Sequence, residues 1–198
     1  MAPAGRSCRE ALVKQKGVHW AEQEVVNLSG CCPPIQRMDA SLSSLRACRH
    51  LALSTNSIDK LGPLTGLDSL ETLSLGRNCL KRLEGLEAVA GTLRQLWVSY
   101  NQLDRLAGVE KARGLRVLYA SNNRIKDWAE VDRLAALPDL EDLLLLGNPI
   151  HQEAVALAGS TQSYRLEVLR RLSRLKKLDG VPVEIEELDA ARGLTSVK

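Results

Sequence analysis

The sequence predicts an α/β solenoid, a curved parallel β-sheet with short helices on its convex side and helical caps, and three observations carry that prediction. One template, L-x-x-L-x-L-x-x-N-x-(I/L), recurs along the 198 residues. Its asparagines stand at Asn56, Asn78, Asn101, Asn123 and Asn148, in steps of 22, 23, 22 and 25, which is the period of a leucine-rich repeat. The apolar content is also nearly of one kind, because the chain holds 36 Leu and no Phe, with only three Trp and three Tyr.

In chain order, residues 1–25 read as an N-terminal helical cap. Ser7-Cys-Arg-Glu10 is a capping box, in which hydroxyl and carboxylate satisfy each other's backbone N–H. It opens a helix through Ala11, Leu12 and Val13 that ends near Gly17, with Trp20 available to cover the first leucine layer. Residues 26–150 are the repeats. A degenerate copy has Val26-Asn-Leu28 as its strand, Cys31 near the asparagine slot and Pro33-Pro34 breaking its return. Five full copies follow, opening at Cys48, Leu70, Leu93, Leu115 and Leu140. In each, the L-x-L alternation of a short strand sends leucine inward and x outward. The Asn brings both amide donors and a carbonyl acceptor to turn backbone that stacking buries, and Asp lacks those donors. Leu61, Leu64, Leu67, Leu70 and Leu73 fall every three residues, the spacing of a 3₁₀ or short helical return.

Residues 151–198 read as the C-terminal cap, needed because an open end would expose leucine faces and unpaired strand edges. Tyr164, Val168 and Leu172 mark an amphipathic helix over about 163–173. A partial copy, Leu172 to Gly180, closes the array, and Pro182 and Gly193 bracket a second helix over 183–192.

Several function classes are set aside. The longest pure Leu stretch is Leu143 to Leu146, far short of a bilayer span of roughly 20 residues, so no membrane segment is expected. The N-terminus shows no secretory h-region, which leaves an intracellular reading. Five Cys at 8, 31, 32, 48 and 79 have no CxxC spacing, so neither a disulfide framework nor a metal site is expected. His19, His50 and His151 lie far apart, and no phosphate-binding, dinucleotide, zincin or hydrolase motif occurs. The expectation is a protein that is not an enzyme, needs no cofactor and is monomeric on its own. A net charge of +3 gives no reason to expect nucleic acid.

The outward strand positions are the informative ones, since the template leaves them free. The central row reads Ala52, Ser74, Trp97, Tyr119 and Leu144, and the next reads Ser54, Gly76, Ser99, Ser121 and Leu146. Stacking places Trp97, Tyr119, Leu144 and Leu146 side by side, a patch of the kind that marks a protein partner. The plainer reading of the two leucines is a last core layer. A basic cluster, Arg165, Arg170, Arg171, Arg174, Lys176 and Lys177, reads either as the solvated side of a capping helix or as a contact for an acidic surface. On a helix extended far enough, Arg170, Arg174 and Lys177 share a face.

Ser74-Leu-Gly-Arg-Asn78, Gly85-Leu-Glu-Ala-Val89, Leu96-Trp-Val-Ser-Tyr-Asn101, Leu118-Tyr-Ala-Ser-Asn-Asn123, Asp127-Trp-Ala-Glu130 and Leu175-Lys-Lys-Leu-Asp-Gly180 go beyond the generic repeat. With Pro33-Pro34-Ile35 and Met38-Asp-Ala-Ser-Leu42, they resemble the family of axonemal outer-arm dynein light chain 1 over residues 7 to 183. The resemblance implies a non-catalytic subunit of the ciliary motor, in the cytoplasm and the axoneme of cilium or flagellum. Its implied partner is the dynein heavy chain at the microtubule-binding domain of the stalk, held by a sheet face that maps to Trp97 and Tyr119. Arg170, Arg171, Arg174 and Lys177 then become candidates to face tubulin. Cys31-Cys32, Ala120, Ser173 and Leu188 depart from the family pattern, and the segment after Val183 matches least. An alternative that shares the period and the Leu-Asp-Gly closing repeat is a leucine-rich adaptor of a nuclear ribonucleoprotein or a phosphatase complex.

Overall fold

A computed structural model of the chain describes residues 6–14 and 19–193. The expected helix end near Gly17 lies outside them. At the N-terminus, β1 (Arg6–Ser7) leads into α1 (Cys8–Lys14), and the capping box forms in both directions. Ser7 N–H donates to Glu10 Oε2 at 2.9 Å, and Glu10 N–H donates to Ser7 Oγ at 3.4 Å. Cys8, Ala11 and Leu12 are buried, and Trp20 packs against the same core while its Nε1 donates to the Leu12 carbonyl at 3.3 Å.

The repeats then supply β2 (Val25–Asn27), β3 (Ile35–Arg37), β4 (His50–Ala52), β5 (Thr72–Ser74), β6 (Gln95–Trp97), β7 (Val117–Tyr119), α2 (Trp128–Arg133) and β8 (Asp142–Leu144). The C-terminal region adds α3 (Pro149–Ala158), α4 (Thr161–Arg171), β9 (Lys177–Leu178), β10 (Val181–Pro182) and α5 (Ile185–Gly193). One sheet runs β10-β9-β8-β7-β6-β5-β4-β2, parallel from β2 to β9, while β1 and β3 form a separate parallel pair. The register is in step throughout: Leu51, Leu73, Leu96, Leu118, Leu143 and Leu178 pair across six neighbouring strands and are fully buried. Each such leucine contributes roughly 1.5–3 kcal/mol of burial. Layers of identical shape stack without the irregular gaps that aromatic residues fill in other cores.

The Asn ladder ties the coils together. Asn78 Nδ2 donates to Leu75 in its own coil and Leu53 in the coil before, both at 3.0 Å, and its Oδ1 accepts from Ile58 N–H at 3.0 Å. Asn56, Asn101, Asn123 and Asn148 repeat the pattern. Cys31 stands at the same slot of the degenerate coil, its Sγ 3.4 Å from the Leu28 carbonyl. The residue before each of the first four ladder asparagines takes positive φ: Thr55, Arg77, Tyr100 and Asn122 lie between 53° and 58°. Returns carry 3₁₀ helices at Ala40–Ser44, Leu86–Val89 and Val109–Lys111. The return over 61–70, expected to be helical from its leucine spacing, has only single turns, with Leu67 N–H donating to the Leu64 carbonyl and Leu70 N–H to that of Leu67, both at 3.2 Å. Gly108 opens the helix at Val109–Lys111 with φ 101°, where a Cβ would strike the Leu83 carbonyl. The longest step, 25 residues, is filled by α2.

Two features differ from the sequence reading. Helix α3 stands where no separate helix was expected, started by Pro149 at N1 and stopped by Gly159 at φ 68°. The closing copy also folds back as a hairpin: Asp179 (φ 52°) and Gly180 (φ 82°) form its two-residue loop between β9 and β10, the positive-φ pair that primed turns require. The expected helix over about 163–173 is α4, and that over 183–192 is α5.

Candidate protein-docking face

Strand register puts Trp97 beside Tyr119 and Tyr119 beside Leu144 on the outward side of β6, β7 and β8. The indole and phenol rings stack at 5.9 Å between centroids, 20° from parallel, and both are half-buried. Leu146 continues the patch and is 45% exposed. His50 joins from the other side, edge-on to Trp97 at 5.8 Å and 88°. Its strand, β4, is two strands from β6, about 9.6 Å away at ordinary spacing, so the two side chains must lean together over β5. That lean accounts for the low exposure of Thr72 (8%) and Ser74 (7%), outward residues of β5. Nothing in the sequence joins His50 to this patch, because the template has no signal for a contact that skips a strand.

Beside the ridge, Ser54 and Ser74 hydroxyls bond at 2.7 Å, and Ser121 donates to Ser99 at 2.9 Å. Ser74 and Ser121 are buried, so this side of the ridge shows the half-buried Ser54, Gly76 and Ser99. The rim beyond Tyr119 is charged. Tyr119 Oη donates to Asp142 Oδ2 at 3.0 Å, and Lys177 Nζ lies 3.6 Å from the same carboxylate. Burial, and then the Asp142 carboxylate, push the Tyr119 phenol above its ordinary range, so it stays a neutral donor. A ridge of stacked rings beside small polar residues, with a charge-paired rim, suits a protein surface.

The C-terminal basic residues do not form one surface. Helix α4 ends at Arg171 and Lys177 lies on β9, so the face expected for Arg170, Arg174 and Lys177 is not built. Arg170 pairs with Glu167 at 2.9 Å. Arg171 pairs with Glu167 and, at 2.8 Å, with Asp132, and its guanidinium sits 4.6 Å over the Trp128 ring. Hydrogen bonds from Arg170 hold the Glu167 carboxyl below its usual range. Arg165 is buried, with Nε 2.7 Å from Glu187 and Nη1 2.9 Å from the Leu178 carbonyl. Arg174 makes one long bond, to the Pro138 carbonyl at 3.4 Å, and no ion pair among the described residues.

No family model matches the chain. Curated relatives do. The chain is 54% identical over 178 residues to dynein axonemal light chain 1 of Chlamydomonas reinhardtii, covering 90% of this chain and 89% of the relative. It is 47% identical over 182 residues to the protein of the same name in Danio rerio (90% and 93% covered) and 47% over 178 residues to that of Homo sapiens (88% and 92%). Among solved structures, it is similar in fold to a chain of the Drosophila melanogaster SNF/U2A′ complex, with TM-score 0.60, 23% identity, and 72% of this chain and 78% of that one covered. It is also similar to internalin C2 of Listeria monocytogenes, at TM-score 0.55, 24% identity, and 73% and 60% covered.

Proposed function

The chain belongs to the axonemal dynein light chain 1 family, and from that premise we propose that it is a non-catalytic subunit seating its Trp97–Tyr119 face on a dynein heavy chain. Association with dynein in the axoneme comes with the family. The finer reading is that the heavy chain is held at the microtubule-binding tip of its stalk, and that this contact adjusts how the motor engages the microtubule and so how the cilium or flagellum beats. The observation that carries it is the stacked Trp97–Tyr119 pair, continued by Leu144 and Leu146 on the outward sheet face. Paired aromatics on a partly exposed apolar patch are what binding hot spots are made of. Direct contact with tubulin through Arg170, Arg171, Arg174 and Lys177 draws less from the geometry, because three of the four already face carboxylates and only Arg174 does not.

The test is capture of heavy chain from axonemal extract by the full-length protein and by its Trp97→Ala/Tyr119→Ala variant, each checked for an unchanged melting profile. The double variant is expected to lose at least about 2–4 kcal/mol, roughly thirtyfold or more in affinity. Equal capture would remove this face from the interface.

A further inference from the structure

A row of charged side chains runs along the edge where the strands begin. Each coil contributes the residue after its first template leucine or its Cys48 equivalent: Arg49, Glu71, Arg94, Arg116, Glu141 and Lys176. Backbone bonds fix their order, since each N–H donates to the carbonyl of the previous member at 2.8–2.9 Å. Neighbours are therefore one strand spacing apart, about 4.8 Å.

The ends of this row are neutralised. Arg49 pairs with Glu71 at 2.7 Å, and Lys176 with Glu141 at 2.6 Å. The centre is not. Arg94 donates to the carbonyls of Gly91 and Leu93 at 3.1 and 3.2 Å, and lies so close over Gly114 that a Cβ there would strike its guanidinium. Arg116 is exposed and makes no ion pair among the described residues. Glu141 is held by Lys176, whose hydrogen bond is the main cause of its lowered carboxyl pKa, with Arg116 a lesser one. Two cations on adjacent strands repel each other. They line the middle of an open groove of about 770 Å³ with Gln95 and Val117, while Arg49, Glu71 and Glu141, whose charges are already paired, line its ends.

Groove and aromatic ridge adjoin. Gln95 and Val117 of the groove are the outward residues that open β6 and β7, and Arg94 and Arg116 stand just ahead of those strands, three residues or about 10 Å of extended chain before Trp97 and Tyr119. That is the diameter of an α-helix with its side chains.

We propose that this groove receives the flank of a partner α-helix lying across the strands, its apolar face on Trp97 and Tyr119 and two carboxylates four residues apart on Arg94 and Arg116. Side chains at i and i+4 of a helix stand about 5–6 Å apart, which matches the strand spacing. Guanidinium–carboxylate pairs are among the stronger charge-assisted bonds and fix direction as well as contact. The inference rests on the reading of Trp97 and Tyr119 as a docking surface, and not on which protein docks.

Two synthetic helical peptides test it, alike in a Leu/Ile face and differing at two flank positions, i and i+4, which are Glu in one and Gln in the other. Titrated against the full-length protein, the Glu peptide is expected to bind about tenfold tighter. That advantage should shrink as salt is raised and vanish in Arg116→Gln. Because Arg116 is exposed and unpaired, its variant is expected to melt like the parent; Arg94→Gln/Arg116→Gln is the second variant. Equal binding of the two peptides, or binding of neither, overturns the proposal. Heavy-chain capture by Arg116→Gln separates the two readings. Capture equal to the parent at every salt concentration sinks the acidic flank and leaves the docking face standing, whereas a parent that captures no heavy chain sinks the partner while the peptides still decide the groove.

Discussion

Asn101 gives its two amide hydrogens to the Leu75 and Val98 carbonyls and takes the N–H of Leu80, three bonds in a site that water barely reaches. Asn101→Asp keeps the shape and loses both donors, so the Leu75 and Val98 carbonyls keep only their bonds from Asn78 and Asn123 and stand beside a buried charge. It should cost about 3 kcal/mol or more, read as a fall in the urea midpoint. The residue just before a ladder asparagine behaves oppositely, and in the first full coil it is Thr55. Thr55 is a β-branched residue held at φ 57°, a conformation that favours glycine. Thr55→Gly removes that strain at some cost in unfolded-chain entropy, and a net gain of about 0.5–1 kcal/mol in the same measurement is expected. The ladder was fully legible in the sequence, because its chemistry recurs at a fixed period. The charged row recurs at the same period, since the slot after Cys48 and after each opening leucine reads Arg, Glu, Arg, Arg, Glu, Lys. The contact of His50 with Trp97 was not legible, because it depends on side chains leaning across a strand rather than on spacing.

Helix α5 packs Ala191 and Leu188 on the core and is tied to the cap by one guanidinium. Arg165 on α4 bonds Glu187 on α5 and also the carbonyls of Leu178 and Pro182, so it joins α4, β9, β10 and α5. Its hydrogen bonds are the main cause that holds the Glu187 carboxyl below its ordinary range. A depressed carboxylate pKa adds stability above the ordinary value and loses it as pH falls through the depressed one. Protection from hydrogen exchange along 185–193, taken relative to the intrinsic rate at each pH, should therefore fall on acidification below about pH 4.5. Glu187→Gln should weaken the docking of α5 by about 2–4 kcal/mol and flatten that pH dependence. If protection there ignores both pH and the substitution, the pair does not hold the helix. Helices α4 and α5 were readable from periodicity and flanking Pro and Gly. Helix α3 escaped because its signals, Pro149 and Gly159, sit at its ends while its exposed face includes Leu157, which blurs the amphipathic pattern. The hairpin at Asp179-Gly180 escaped because those residues also fit the repeat.

Taken whole, the molecule is one continuous core running from Cys8 to Ala191, so its two ends decide whether the middle can exist. Removing everything after Asn148 strips Tyr164, Val168, Leu169, Leu172, Leu175 and Leu178 from the last layer and opens the edge of β8. That fragment is expected to associate or precipitate, visible in light scattering, while a chain ending after Pro182 keeps the edge covered and stays monomeric, with a lower melting temperature. A well-behaved monomer from the shorter fragment would show that the cap is dispensable. The way the sheet stops has a consequence of its own. In the inner coils a strand N–H is answered by the next coil's carbonyl, but Leu145 and Leu146 are answered by the Asp179 side chain, and Pro182 on the final strand has no N–H to offer. The stack thus carries its own full stop: duplication events could lengthen this protein by splicing coils into its interior, whereas a coil stacked behind β10 would meet a strand that cannot continue the ladder.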